Sequence, residues 1–329
     1  MRDFDPDAII SVVAPFYNEV KGIKAFVEEL ETEFGKIGYE DRHELVLVND
    51  GSTDGSDREL DKMAARYAGK IKVLHLSRNF GHAPAVYAGL AHAGGQVVIL
   101  MDSDLQDDPS CFDLFLQKWR EGYDVVYSKR SSRPENVLLR PMFWLFYRIL
   151  ALMSDTKIPL DAGNYALMDK RVIKHLLALP EKHLYWPGLR AWVGFKQIGI
   201  PAPRRHRYDG TARTGLKGKW DLAANAIFSF SYLPLVVFRL FGILALIVSL
   251  ALAVYALYHK FITGLAVTAW TSNIITVTFF GGLNLFGLGI IGEYISRIYN
   301  EVRNRPKYII DRIVSDHKDS NSDRNNGRQ

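Results

Sequence analysis

The chain has 329 residues, 23% of them charged and 12% aromatic, with a single cysteine, Cys111. That composition excludes a disordered or fibrous chain, and one cysteine excludes a disulfide framework or a cysteine-based zinc site within the chain. Basic residues number 41 against 36 acidic, and a net charge of +5 is too small an excess to point to nucleic acid as a partner. The charge is unevenly spread: segments 240–258 and 261–292 carry no ionisable side chain of the Asp, Glu, Lys or Arg type. The pattern is that of a soluble head followed by a membrane-embedded region.

In chain order, Met1 to Asp7 is acidic, and the apolar run behind it stops at Pro15. That is too short for a secretory leader, so the head is expected in the cytoplasm. From Ala8 to Ser128 apolar runs alternate with helical patterns. The runs are Ala8–Ala14, Glu44–Asn49, Ile71–Leu76, Val97–Met101 and Asp124–Tyr127. Several are apolar on consecutive positions, as strands buried on both faces are. The helix candidates between them are Glu19–Phe34, Gly55–Ala68, Ala83–Ala93 and Pro109–Glu121. This alternation predicts an α/β, Rossmann-like, mostly parallel sheet, whose ligands bind at the carboxyl ends of the strands. Polar clusters fall at those ends: Asn18-Glu19, Asp50-Gly51-Ser52, Arg78-Asn79 and Asp102-Ser103-Asp104.

Asn136–Met153 is very apolar, with Arg140 and Arg148 as its only charges. A helix places those two arginines about 80° apart, on one side. An apolar, aromatic helix with a basic edge suits a membrane interface, and a second such helix is expected over 216–232. Leu240–Tyr258 matches the length of one membrane span. Phe261–Gly292 exceeds one span, so part of it is expected as loop or interface, with Trp270 as an interfacial anchor. Its glycines (Gly281, Gly282, Gly287, Gly289, Gly292) allow close helix approach, between the two spans or between protomers. Basic residues flank both spans on their outer sides, and Lys260 alone lies between them. The positive-inside rule then places both ends in the cytoplasm, as a multi-pass protein of the cell membrane. The domains expected are a head over 1–232, a hairpin over 233–298 and a cytoplasmic tail over 299–329, disordered at its end.

The strongest local chemistry lies in Asp102-Ser103-Asp104-Leu105-Gln106-Asp107-Asp108-Pro109. Two carboxylates spaced i, i+2 after a buried strand can chelate a hard cation bridging the phosphates of a nucleotide diphosphate, with Gln106 as a further oxygen donor. Read alone, the same residues also suit an acidic helix start. Asn49-Asp50-Gly51-Ser52-Thr53-Asp54-Gly55-Ser56 can bring backbone N–H groups and a carboxylate against a nucleoside, or form an ordinary capped turn. His82 and His206 are expected as surface or hydrogen-bonded structural groups, and Trp186 and Trp192 as packing or interfacial side chains.

With Ala14-Pro15-Phe16-Tyr17-Asn18-Glu19 placed before them, these motifs occur in an order that resembles the family 2 glycosyltransferases with a GT-A head. More narrowly the chain resembles the polyprenyl-phosphate glycosyltransferases, the bactoprenol glucosyltransferases of the GtrB type and the dolichol-phosphate mannosyltransferases. The resemblance extends through Leu160-Asp161-Ala162-Gly163-Asn164-Tyr165, the basic stretch to Gly210 and the tail Gly292-Glu293-Tyr294-Ile295-Ser296-Arg297-Ile298-Tyr299. It implies that Pro15, Asn18, Glu19 and Asp50 contact the nucleotide, and that Asp102, Asp104 and Gln106 hold Mg2+ or Mn2+. It also implies that Arg130, Arg140 and Arg207 lie near the donor and acceptor phosphates. Arg213 stands where the family commonly has lysine, beside the acceptor phosphate with Arg140 and Arg207. Asp161 aligns with an aspartate proposed as catalytic, with base, sugar-hydroxyl ligand and organiser of arginines all open as roles. Asn164 and Asn225 stand where relatives commonly have aspartate. The resemblance implies an inverting transfer of a hexose, glucose from UDP-glucose, to a polyprenyl (undecaprenyl) phosphate at the cytoplasmic leaflet. Asp104, Asp161 and Arg207 would be the catalytic group, and the protein would be a homo-oligomer through its membrane helices or tail. The alternatives are another donor (GDP-mannose, UDP-galactose or UDP-GlcNAc), a processive synthase, or an inactive membrane scaffold or flippase partner. The synthase reading lacks its Gln-x-x-Arg-Trp motif in this sequence.

Overall fold

The computed structural model describes residues 5, 8–129, 162–182, 184–202, 233–258, 261–262 and 270–315. The chain divides into two compact units, one of Met1–Arg140, Thr156–Leu216 and Arg305–Gln329, the other of Pro141–Asp155 and Lys217–Asn304.

In the first unit, β1 (Ile10–Phe16), β2 (His43–Asn49), β3 (Ile71–Leu76) and β4 (Val97–Leu100) are almost wholly buried. Continuous Val, Ile and Leu suit strands covered on both faces. The pairs β1–β2, β1–β4 and β2–β3 are parallel. Three helices make the crossovers: α1 (Ile23–Lys36), α2 (Ser56–Arg66) and α3 (His82–His92). Helix α1 buries Ile23, Phe26, Val27, Leu30 and Phe34, an apolar stripe at helical spacing. Helix α3 approaches the sheet closely at Gly89, where a Cβ would enter the Val13 side chain. A short 3-10 turn (Pro109–Cys111) leads into α4 (Phe112–Arg120), so the single helix expected over Pro109–Glu121 is split. Asp108 caps that turn by accepting from Ser110 N at 3.0 Å.

Beyond β4 the sheet ceases to be parallel. Strand β5 (Val125–Lys129) and β4 both pair antiparallel with β6 (Ala162–Asp169), while β7 (Gln197–Pro201) pairs parallel with β5. Helices α5 (Lys170–Leu177) and α6 (Trp186–Trp192) lie between β6 and β7 in sequence. The eight-stranded order is β7-β5-β6-β4-β1-β2-β3-β8. Its last member, β8 (Ile310–Val314), runs antiparallel to β3 and comes from the segment read as a cytoplasmic tail. The sheet is therefore mixed, with its parallel strands gathered around β1. Phe16, Phe26, Phe34, Phe112, Phe115 and Trp119 fill the core beneath it. Burying a side chain of this size contributes about 1.5–3 kcal/mol. Trp119 also donates its Nε1–H to Asp169 Oδ2 at 2.9 Å.

In the second unit, α7 (Leu233–Tyr258) and α8 (Trp270–Val302) are long and apolar enough to cross a membrane by length and composition. At 1.5 Å per residue they are roughly 39 Å and 50 Å long, against about 30 Å of hydrocarbon. Helix α8 runs past Gly292, where the apolar reading stopped, and Arg297 pairs with Glu293 at 2.9 Å one turn back. Of the α8 glycines, Gly287 lies against Phe238 of α7, where a Cβ would meet the ring. Gly281, Gly282, Gly289 and Gly292 have nothing within 4 Å of such a Cβ.

Candidate active site

Four loops meet at the carboxyl ends of the parallel strands, and side chains of one loop hold the backbone of the next. Pro15 is buried near the end of β1, past the last residue paired with β4, where its missing N–H costs no ladder bond. Asn18 follows with a left-handed φ of 55°. Its N–H donates to Ser52 Oγ at 3.0 Å, and its Oδ1 accepts from Thr53 N at 2.8 Å. Glu19 N donates to Ser56 Oγ at 3.1 Å, and Val20 N to Asp54 Oδ2 at 3.1 Å. Side chains of the β2–α2 loop and of the first residue of α2 thus take three successive amides, and α1 starts at Ile23 rather than at the expected Glu19.

Asp50 sits at the end of β2, buried, with Oδ1 accepting from Phe80 N at 2.7 Å and Oδ2 from Gly81 N at 2.9 Å. It clamps the turn between β3 and α3. Burial pushes its carboxyl above the usual range, against the pull of those two N–H groups and of the charges on His82 and Arg78. Gly51 beside it has φ +65°, and a Cβ there would run into the Arg78–Asn79 backbone. For Asp54, burial acts upward, but hydrogen bonds from Ser56 and Val20 prevail and its carboxyl stays below the ordinary range.

After β4, Asp102 Oδ1 accepts from His82 Nε2 at 2.9 Å, and Asp104 Oδ1 accepts from Gln106 N at 3.2 Å. Leu105 between them has φ +57°. Ser103 donates its hydroxyl to the Glu19 carboxylate, tying the β4 loop to the β1 loop. His82 is raised: burial acts downward, but the Asp102 hydrogen bond and the charges of Asp102, Asp50 and Asp104 outweigh it. The expectation of a surface or hydrogen-bonded histidine agrees with its place: the His82 side chain is 45% exposed and bonded to Asp102. Its partner lies across the sheet end, and only its position at the start of α3 after a strand signalled the site. Among the described residues no group of three or more His, Cys, Asp or Glu side chains converges to hold a metal ion. Asp102 and Asp104 offer hard oxygen donors from a single loop, which suits a cation taking its remaining ligands from phosphate and water.

The strand β6 runs against β4 and so begins at this same end of the sheet. Its first residues are held by Arg190 of α6, which is buried and donates to Gly163 O at 2.6 Å and Asn164 O at 3.3 Å. Burial pushes its guanidinium down to about 10. No sequence motif marked this residue. The structure brings together Pro15, Asn18, Glu19, Asp50, Asp102, Asp104 and Gln106. Arg130, Arg140, Asp161, Arg207 and Arg213, with the helices expected over 136–153 and 216–232, lie outside the described residues.

Residues 11–177 match the family model "Glycosyl transferase family 2". An uncharacterized glycosyltransferase of a Synechocystis species is 37% identical over 92% of this chain and 94% of its own. The SfII prophage-derived bactoprenol glucosyl transferase of Shigella flexneri is 36% identical over 92% of this chain and 97% of its own. Among solved structures, glucosyl-3-phosphoglycerate synthase of Mycobacterium tuberculosis, in complex with Mn2+, UDP and phosphoglyceric acid, aligns with a TM-score of 0.44 at 21% identity, over 67% of this chain and 75% of that one. The family match spans the strands and loops that build the candidate site, and the chain belongs to the family 2 glycosyltransferases, with a GT-A-like head followed in sequence by two apolar helices.

Proposed function

We propose that this glycosyltransferase moves glucose from UDP-glucose to the phosphate of a polyprenyl phosphate, with inversion at the sugar carbon. The observation that carries the reading is the 36% identity to a bactoprenol glucosyl transferase over nearly the full length of both chains, apolar helices included. In this reading α7 and α8 anchor the enzyme in the cell membrane, with the head and both termini in the cytoplasm, and copies of the chain associate through those helices or the tail.

Asp102 and Asp104 would hold Mg2+ or Mn2+, with Gln106 beside them. The cation supplies charge neutralisation of the departing diphosphate. Asn18, Glu19 and Asp50, on the backbone frame that starts at Pro15, orient the nucleotide. Arg130 faces the donor phosphates, and Arg140, Arg207 and Arg213 receive the acceptor phosphate. A phosphate monoester has its second pKa near 6, so the acceptor is mostly ionised at neutral pH and is already a nucleophile. The work left to the chain is positioning and charge stabilisation, in which Asp104, Asp161 and Arg207 take the central part.

The test is a donor panel with the full-length protein in detergent and undecaprenyl phosphate as acceptor. Transfer from UDP-glucose, abolished by Asp102→Asn with the fold intact, is expected. Transfer from UDP-galactose, UDP-GlcNAc or GDP-mannose in preference to UDP-glucose would overturn the choice of donor. No glycolipid from any of the four would overturn the acceptor.

A further inference from the structure

An unbroken line of hydrogen bonds runs from β8 to the loop read as the nucleotide site. Arg312 of β8 donates its Nη2–H to Asp61 Oδ2 at 2.8 Å, and Asp61 Oδ1 lies 2.8 Å from His75 Nε2. His75 Nδ1 lies 3.0 Å from Asn49 Nδ2. Asn49 Oδ1 accepts from Ser52 N at 3.1 Å, and Ser52 Oγ accepts from Asn18 N at 3.0 Å. The line crosses four elements, β8, α2, β3 and β2, before it enters the loop. Asn49 and His75 are both 3% exposed.

The order of donors along it is determined. Ser52 N–H can only donate, so the Asn49 atom facing it is oxygen and the other end of that amide is NH2. The NH2 donates, so His75 Nδ1 is a lone pair and the ring proton sits on Nε2, where it donates to Asp61. Every member therefore has one orientation, set at one end by a backbone amide and at the other by the Arg312 cation. The middle of this network, Asn49 and His75, is buried and has little freedom to rearrange, while Asp61 and Arg312 at its outer end are partly exposed.

We propose that Arg312, Asp61 and His75 are positioning residues for the nucleotide donor, so that the strand following the second apolar helix belongs to the donor-binding machinery. None of the three touches the donor. They act through Asn49, which holds Ser52, which in turn holds the Asn18 backbone in its left-handed turn. The inference rests on the reading of Asn18, Glu19 and Asp50 as nucleotide contacts.

The experiment uses the full-length protein in detergent micelles with Mg2+ and UDP as the probe. Its readouts are UDP Kd by calorimetry, donor and acceptor KM, kcat and melting temperature. Arg312→Met removes an exposed side chain and leaves the sheet backbone intact. His75→Gln keeps a donor toward Asp61 and removes the acceptor that faces Asn49. Each is expected to raise UDP Kd and donor KM roughly three- to tenfold, the usual effect of one lost network hydrogen bond. Acceptor KM and kcat should stay within about twofold, and Arg312→Lys should recover most of the loss, because it restores a cationic donor to Asp61. Lower melting temperatures with unchanged UDP Kd would show a structural staple and overturn the proposal. Should His75→Gln fail to fold, Arg312→Met decides alone. Asn18→Ala separates the two readings: if it too leaves UDP Kd unchanged, the nucleotide reading of this loop fails. If it weakens UDP while Arg312→Met and His75→Gln do not, the positioning line alone fails.

Discussion

Gly51→Ala tests the close approach on which the candidate site is built. Gly51 has φ +65°, a region that costs an alanine about 1–2 kcal/mol. Alanine also stiffens the unfolded chain, which offsets up to about 1 kcal/mol. What remains is the contact. The new Cβ would enter the backbone at Arg78 and Asn79, which no side-chain rotation can relieve. Displacing packed backbone costs about 1–3 kcal/mol, so the net loss expected is about 2–3 kcal/mol. Gly38 is the matched control: its φ is +73°, and a Cβ there meets nothing within 4 Å. Gly38→Ala carries the same backbone strain without the contact and should lose no more than about 1–2 kcal/mol. Melting curves of the full-length proteins in one detergent should place Gly51→Ala roughly 5–10 °C below the parent and Gly38→Ala between the two. The displaced Arg78–Asn79 backbone precedes the Phe80 and Gly81 amides that Asp50 holds, so UDP binding should weaken in the first variant only. Equal melting temperatures and equal UDP affinity for the two variants would refute the reasoning.

Gly287→Leu should part α7 from α8 at Phe238 and lower the temperature of aggregation in detergent, while Gly289→Leu, with open space around it, should behave as the parent. Asp169 accepts from Trp119, Arg171 N and Arg171 Nε; burial works against its charge, and the Arg171 and Trp119 bonds carry it below the ordinary carboxylate range. Its contribution is thus complete above the unfolded carboxyl value near 3.9 and fades as pH falls through the lower folded value. Asp169→Asn should cost about 1 kcal/mol at pH 7, with the gap to the parent narrowing below pH 4 in urea melts. A cysteine placed at Lys260 should be labelled from outside intact cells and one at Arg305 should not. Cys111 is buried and leaves the readout clean.

The strands around β1 were legible because Val12-Val13-Ala14 and Leu45-Val46-Leu47-Val48 are short, β-branched-rich runs apolar on successive positions, as doubly covered strands are. Their carboxyl ends located Asn18, Asp50 and Asp102. What stayed hidden depends on partners distant in sequence. The amides of Asn18, Glu19 and Val20 pass to Ser52, Ser56 and Asp54, so a stretch with helical composition becomes a turn. His82 meets Asp102 twenty residues on, and Arg190 meets the carbonyls of Gly163 and Asn164, contacts that no local pattern encodes. Asp311 and Arg312 interrupt the apolar positions of Ile310–Val314, so the segment reads as part of a charged tail, and pairing with β3 makes it a strand.

That last pairing affects how the protein is made. Strand β3 leaves the ribosome early, yet the strand that covers its free edge follows two apolar helices. At about 5–20 residues per second, β3 waits some tens of seconds for β8. Through that interval an apolar sheet edge lies open, the usual starting point for strand-to-strand aggregation. Synthesis of the two apolar helices α7 and α8 falls within the same window. A nascent chain stalled before β8 would expose an incomplete head, so a fault in making the two apolar helices is reported by the head's unfinished sheet.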